Sequence, residues 1–186
     1  MKRLFLALAA VAVLAGCTAR NPETAPPAEL AALKVPNTGP TTLTLYTVIN
    51  RNTGAGGHTA LGVNADERVL FDPAGSFEAQ GVVRSGDVLY GFTPPVENAF
   101  SSQHARSAYL VNKLEIPVSP QVAQMALQKV KSYGAVGAAH CAQSTSSILQ
   151  TLPGFEGVER TYYPVNLENQ IKRLVTAKET TIIEND

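Results

Sequence analysis

The chain has 186 residues, of which 45% are hydrophobic and 16% are charged, with 15 Lys and Arg against 15 Asp and Glu. This length suits one ordinary globular domain and is short for two. The formal net charge of zero argues against a nucleic-acid-binding protein, and ordinary glycine and proline contents exclude collagen-like and wholly disordered classes. Two cysteines are too few for a disulfide-stabilised scaffold.

The N-terminus has the pattern of a secretory signal peptide. Two basic residues precede the apolar run 4–14, which is shorter than the ~20 residues that span a bilayer. The run ends in Leu-Ala-Gly-Cys at residues 14–17, which resembles the bacterial lipobox, where cleavage precedes a diacylglyceryl-modified cysteine. We therefore expect residues 1–16 to be removed and Cys17 to be lipidated. An ordinary cleavage site that happens to contain a cysteine is the alternative.

The next segment predicts how the domain is attached. Residues 17–41 contain five prolines and little periodic apolar pattern, which indicates a lipidated cysteine followed by a flexible tether. Two acyl chains on one cysteine give stable membrane anchoring. Thr18 follows the cysteine instead of Asp, which by the enteric sorting rule resembles an outer-membrane destination. We expect a lipid-anchored cell-envelope protein that faces the periplasm, with its domain over residues 42–186.

Strand patterns dominate the first half of that domain, since β-branched and alternating apolar residues end repeatedly at Gly, Pro or Asn. Strands are predicted at residues 43–49, 58–63, 68–72, 87–92 and 107–116. The second and third form a hairpin with a short polar turn. Residues 93–105 are expected to be irregular.

Helical patterns dominate the second half. Ser-Pro at residues 119–120 is typical of a helix start, and apolar residues follow at helical spacing. Cys141 begins a second helix, a third covers roughly residues 166–175, and residues 180–183 are compatible with a short last strand. The predicted class is α+β, with an antiparallel sheet of about five strands packed against two or three helices.

Cys141 is the one thiol expected in the mature chain, and in an oxidising envelope it has no intramolecular partner. A small buried apolar side chain is one role for such a cysteine. Its place at a helix N-terminus favours another, because unpaired N–H groups and the positive end of the helix dipole stabilise a thiolate. The same N–H groups can bind an oxyanion during acyl transfer.

A cysteine nucleophile needs a base, and the chain has three histidines. His58 begins a strand directly after two glycines, where its side chain can face a cleft, although a solvent-facing strand edge is the alternative. His104 is expected to be an exposed loop residue. His140 adjoins Cys141 and is expected to be a flanking or substrate-contacting residue, since neighbours at a helix start point in different directions.

A strand-initial His58, followed much later by the helix-initial Cys141, resembles the circularly permuted NlpC-type papain-like hydrolases, the group that includes lecithin retinol acyltransferase-like proteins. In ordinary papain-like enzymes the cysteine precedes the histidine, and permutation predicts the reversed order found here. The resemblance covers about residues 43–152. It implies a permuted papain-like α+β fold, in which the cysteine helix packs on an antiparallel sheet that presents the histidine.

The resemblance also implies a third polar group that orients the imidazole, and Asp72 is the candidate. If the hairpin closes through residues 64–66, Asp72 lies opposite His58 and can accept its N–H. A closure longer by one residue would pair His58 with Pro73 and turn Asp72 to the other face. A turn carboxylate is the alternative role for Asp72.

Together these features predict a lipid-anchored cell-envelope cysteine hydrolase or acyltransferase with Cys141 as nucleophile, His58 as base and Asp72 as its orienting group. Stem-peptide amides of peptidoglycan are the substrate class that the address and the resemblance suggest, with esters and thioesters open. A non-catalytic envelope lipoprotein that binds a cell-wall fragment or a partner protein is the alternative. No cofactor or metal is expected, because the histidines and cysteines lack metal-ligand spacing.

Overall fold

The computed structural model of the chain describes residues 25–185. The predicted signal peptide, residues 1–16, and the predicted lipidation site, Cys17, lie outside the described residues. In chain order the elements are α1 (Pro27–Ala32), β1 (Thr42–Asn50), β2 (Gly56–Asn64), β3 (Arg68–Phe71), β4 (Val83–Ser85), β5 (Val88–Tyr90), α2 (Pro94–His104), β6 (Tyr109–Pro117), α3 (Pro120–Tyr133), α4 (Cys141–Leu149), α5 (Pro164–Leu174) and β7 (Lys178–Ile182).

The seven strands of the described residues form one antiparallel sheet in the order β4-β5-β3-β2-β1-β6-β7. Five helices accompany the sheet in this part of the chain, so the predicted α+β class is confirmed. The sheet has more strands than the five expected. One of the additional strands, β4, is only three residues long, which is too short for a period-2 pattern to be recognised.

Both faces of the sheet are buried, and the alternation of side chains along β1 shows how. Leu43 and Leu45 belong to the larger core, which α3, α4 and α5 cover, whereas Tyr46 and Val48 belong to a smaller core that includes Phe100 of α2. A strand that is buried on both faces is apolar almost throughout rather than alternately. This is why β1, between β2 and β6, has so continuous an apolar sequence.

The prediction that residues 93–105 are irregular is wrong, because most of them form α2. Thr93 caps this helix by accepting a hydrogen bond from the Val96 N–H at 3.4 Å, and Pro94 occupies the first helical position. Phe100 is the one buried apolar residue of α2, so the helix lacks the periodic apolar stripe that would reveal it in the sequence.

The segment before β1 lies against the domain. Leu30 and Leu33, in and just after α1, pack on the larger core, and the Arg68 N–H donates to the Val35 carbonyl at 2.8 Å. Contacts with the domain therefore begin within the segment for which the sequence predicts a tether. Among the described residues, no helix is both long and apolar enough to cross a bilayer.

Candidate active site

Strands β2 and β3 pair over only part of β2. Their ladder joins residues 61–64 to residues 68–71, so the first half of β2, which includes His58, has no partner in β3. Beyond the ladder the chain continues through Asp72, whose N–H donates to the Asp87 carbonyl at 2.8 Å. The candidate residues meet at this opening between the two strands.

Asp72 reaches His58 along a diagonal. Because Leu61 pairs with Phe71, one further step of the ladder would place Asp72 opposite Ala60. Ala60 and His58 are two residues apart in a strand, so they share a face of the sheet. Neither register considered from the sequence is observed, since Asn64 pairs with Arg68 and the turn is formed by residues 65–67, one residue further along the chain than the three-residue turn 64–66. Because Ala60 lies an even number of residues from His58, the side chain of Asp72 is still on the same face of the sheet as that of His58.

Asp72 is a fully buried carboxylate with two partners of opposite charge. Its Oδ1 lies 2.7 Å from His58 Nε2, while Arg84 donates from Nη2 to Oδ2 at 2.6 Å and from Nη1 to the Asp72 carbonyl at 3.0 Å. Burial opposes ionisation, but the hydrogen bonds and charges of His58 and Arg84 outweigh it and lower the pKa of Asp72 below its ordinary value. Asp72 is therefore ionised at neutral pH.

Cys141 is the first residue of α4 and is 7% exposed. Its sulfur is hydrogen-bonded to His58 and also accepts the backbone N–H groups of Thr59 and Ala142. Because Nε2 of His58 faces Asp72, the ring nitrogen that faces the sulfur is Nδ1. Burial raises the pKa of the thiol, but His58 and the two N–H donors outweigh burial, and the net pKa of Cys141 lies below its ordinary value.

His58 lies between these two acceptors and takes its charge state from them. Burial alone would lower the pKa of His58, but the hydrogen bonds and negative charges of Asp72 and Cys141 raise it to about 9. The lowered pKa of the thiol and the raised pKa of the imidazole both favour an imidazolium–thiolate pair over a neutral thiol beside a neutral imidazole. This is the protonation state of an activated cysteine nucleophile.

The start of α4 presents backbone donors at the sulfur. His140 is the N-cap residue and makes no side-chain capping bond. The N–H groups of a first helical turn have no partner within the helix, and one of them, from Ala142, donates to the sulfur. The positive end of the helix dipole lies at the same point. The arrangement can stabilise negative charge on the sulfur and on an oxygen that forms beside it.

The other two histidines also lie near the opening, and the prediction for His104 is wrong. It is the last residue of α2 and half-buried, with its ring centroid 5.8 Å from that of His58 and an angle of 16° between the ring planes. His140 donates from Nδ1 to the Ala138 carbonyl at 2.9 Å, and its ring contacts the Tyr162 ring in an edge-to-face arrangement.

Two charged residues that the sequence did not identify support the site. Arg84 lies in β4, and Asp87 follows in the turn that leads to β5. Asp87 Oδ2 accepts the N–H of Ala74 at 3.1 Å and that of Val136 at 2.8 Å, which links the turn after Asp72 to the loop before α4. The sequence signal was only an Arg-Ser-Gly-Asp turn, which does not reveal the partners of its charged residues.

The turn after β3 requires a glycine at residue 75. A Cβ atom built there would overlap both carboxylate oxygens of Asp72. The backbone of Gly75 therefore occupies the space next to the carboxylate, and any side chain at this residue would displace it.

Within residues 25–185, no group of three His, Cys, Asp or Glu side chains could hold a metal ion. Comparison of the chain with protein-family models, with curated proteins and with solved structures found no match. The residues by themselves define a thiol, an imidazole and a carboxylate connected in series, with Cys141, His58 and Asp72 as the three members.

Proposed function

We propose that this protein is a cysteine hydrolase or acyltransferase of the bacterial cell envelope, with a permuted papain-like fold. In this proposal a lipid on Cys17 anchors the chain to the outer membrane, and the domain faces the periplasm. The observation that carries the proposal is that one imidazole, of His58, contacts both the Cys141 sulfur and the Asp72 carboxylate. A cysteine that only fills space in a core needs neither an imidazolium partner nor backbone donors at its sulfur.

The first half of the reaction forms an acyl-enzyme. The Cys141 thiolate attacks the carbonyl carbon of an amide or ester, and the carbonyl π electrons move to the oxygen. Backbone N–H groups at the start of α4 stabilise this oxyanion. The His58 imidazolium then gives its Nδ1 proton to the leaving nitrogen or oxygen, the bond to that atom breaks, and a thioester on Cys141 remains.

The second half releases the acyl group. Water attacks the thioester carbon while His58 Nδ1 accepts its proton, and the carbon–sulfur bond breaks to restore the thiolate and a carboxylic acid. An alcohol or amine in place of water would make the protein an acyltransferase. Throughout, the Asp72 carboxylate holds the imidazole in one orientation and stabilises its protonated form.

The substrate class that we propose is the stem-peptide amide of peptidoglycan. Two features support it: the predicted signal peptide with its lipobox-like end, which would bring the domain beside the cell wall, and the resemblance to NlpC-type hydrolases. Esters and thioesters are the alternative acyl donors, because the same attack and proton transfer apply to them.

The test is incubation of the purified full-length chain with muropeptides and, separately, with a small activated ester, followed by liquid chromatography and mass spectrometry. We expect cleavage by the wild-type chain, none by Cys141→Ala, and a loss of about 10² to 10⁴-fold in His58→Gln. Ser147→Ala, whose hydroxyl bonds only the Gln143 carbonyl within α4, serves as the matched control and should retain activity. If no substrate is cleaved and native Cys141 is alkylated no faster than in the denatured chain, a non-catalytic binding lipoprotein replaces this proposal.

A further inference from the structure

The imidazole of His58 is enclosed on one face as well as at both nitrogens. The ring of His104 lies against that face, nearly parallel to it, at a centroid distance of 5.8 Å. Behind His104, the ring of Phe100 lies 4.3 Å away and that of Phe77 lies 6.4 Å away, both inclined to it. His104 therefore sits between an aromatic cluster of the smaller core and the imidazole of the site.

The tautomer of His104 follows from its hydrogen bond. Its Nδ1 lies 2.8 Å from the Phe100 carbonyl, which can only accept, so Nδ1 carries the proton. Burial lowers the pKa of His104, and the charge of His58 lowers it further, against the raising effects of the carbonyl bond and of Asp72. His104 is therefore neutral beside the charged His58, and the stacked rings do not repel each other.

We propose that His104 is a positioning residue, whose ring keeps the His58 imidazole aimed at the sulfur site when the ion pair is absent. This inference rests on the proposed function, because it assigns His104 a part in the second half of that reaction. While Cys141 is a thiolate, His58 is fixed at Nδ1 by the sulfur and at Nε2 by Asp72. In the thioester the sulfur is uncharged, and the Asp72 bond is then the remaining polar contact of the ring.

A single hydrogen bond leaves an imidazole free to swing about that bond. The flat ring of His104 on one side limits this movement, so that Nδ1 stays where it can accept the proton of the attacking water. A small misplacement of a catalytic group can slow a step by as much as ~10²-fold. Loss of the His104 ring is therefore expected to slow release of the acyl group more than its formation.

The experiment measures both steps with p-nitrophenyl acetate and the full-length chain. The burst of p-nitrophenolate reports formation of the acetyl-Cys141 thioester, and the steady rate after it reports hydrolysis. In His104→Ala we expect the steady rate to fall about tenfold or more, with the burst rate changed less than threefold. A mass increase of one acetyl group on the Cys141 peptide identifies the intermediate.

Two further variants separate the ring face from the hydrogen bond. His104→Phe keeps a flat face and loses the bond to the Phe100 carbonyl, whereas His104→Asn can keep that bond and loses the ring. We expect His104→Phe to hydrolyse the thioester at near the wild-type rate and His104→Asn to be slowed as much as His104→Ala. If His104→Ala does not fold, the comparison of His104→Phe with His104→Asn is the test. Equal steady rates in all four chains, or a loss in Phe as large as in Asn, overturn the role of His104. A wild-type chain that neither hydrolyses the ester nor gains an acetyl group on Cys141 overturns the proposed function and this inference with it.

Discussion

The carboxylate of Asp72 lies 2.7 Å from His58 Nε2, although the two residues are not partners in the ladder between β2 and β3. Diagonal contacts of this kind connect neighbouring strands on one face of a sheet. The geometry places the carboxylate and the Cys141 sulfur at the two different nitrogens of one ring. The charge on the sulfur therefore depends on a residue at the far side of the imidazole.

Asp72→Asn tests this dependence. The amide lacks the charge that raises the pKa of His58, so the pKa of His58 should fall and that of the Cys141 thiol should rise. Alkylation of Cys141 by iodoacetamide, followed against pH by mass spectrometry, should show its midpoint at higher pH. Below the midpoint, the rate should be about tenfold lower for each unit of pKa. Asp66→Asn, which removes an exposed carboxylate paired with Lys34, is the control. A midpoint that Asp72→Asn leaves in place would contradict the assignment.

Arg84→Met tests the partner that neutralises Asp72 from the other side. The change leaves Oδ2 of a fully buried carboxylate without its 2.6 Å partner, and we expect the free energy of unfolding to fall by about 3 kcal/mol. Urea denaturation measures this loss. Lys34→Met breaks an ion pair whose side chains are 46% and 54% exposed, and should reduce the free energy of unfolding much less, because solvent screens an exposed pair. Similar small losses in both variants would show that the Arg84 contact does not stabilise the site.

Two variants of Asp87 test whether this residue links the turn after β3 to the loop before α4. Asp87→Ala removes the acceptor shared by the Ala74 and Val136 N–H groups, and we expect a loss of about 1–3 kcal/mol with faster amide hydrogen exchange at both residues. Asp87→Asn keeps an oxygen that can accept both bonds and should retain most of the protection. Exchange that is unchanged in Asp87→Ala would mean that other contacts hold these loops together.

The response to pH separates catalysis from simple thiol reactivity. Acylation by an amide needs the His58 imidazolium as the acid, whose pKa is about 9, so kcat/KM for amide cleavage should fall as pH rises through that value. Alkylation needs only the thiolate and should not fall there. At acidic pH the rates of catalysis and of alkylation should fall together, because the thiolate is protonated. Parallel measurement of kcat/KM for amide cleavage and of iodoacetamide alkylation in one buffer series tests this, and a decline of alkylation at high pH would exclude this assignment of protons.

Local patterns in the sequence were enough to place His58 at the start of a strand region and Cys141 at the start of a helix. Both positions depend on residues close in the chain: the glycines before His58 and the helical spacing after Cys141. The α+β class follows from the same patterns. Helix α2 was not predicted because Phe100 is the only apolar side chain that this helix buries.

Contacts between distant segments could not be obtained in this way. The position of Asp72 relative to His58 depends on which residues form the turn between β2 and β3, and the local sequence pattern did not determine them. The partners of Arg84 and Asp87 depend on how the short β4–β5 hairpin folds against the turn after β3. Likewise, the stacking of His104 on His58 requires a helix that the sequence did not indicate.

Because Gly75 has no side chain, a substitution there can weaken the site without replacing any of its three reactive residues. Gly75→Ala would introduce a methyl group into the space held by the Asp72 carboxylate. The thiol and the imidazole would both remain, but the displaced carboxylate would raise the pKa of His58 less, and His58 would in turn lower the pKa of Cys141 less. If the proposed function holds, such a chain is expected to bind its substrate but turn it over slowly, so that the bound ligand can be recovered and identified.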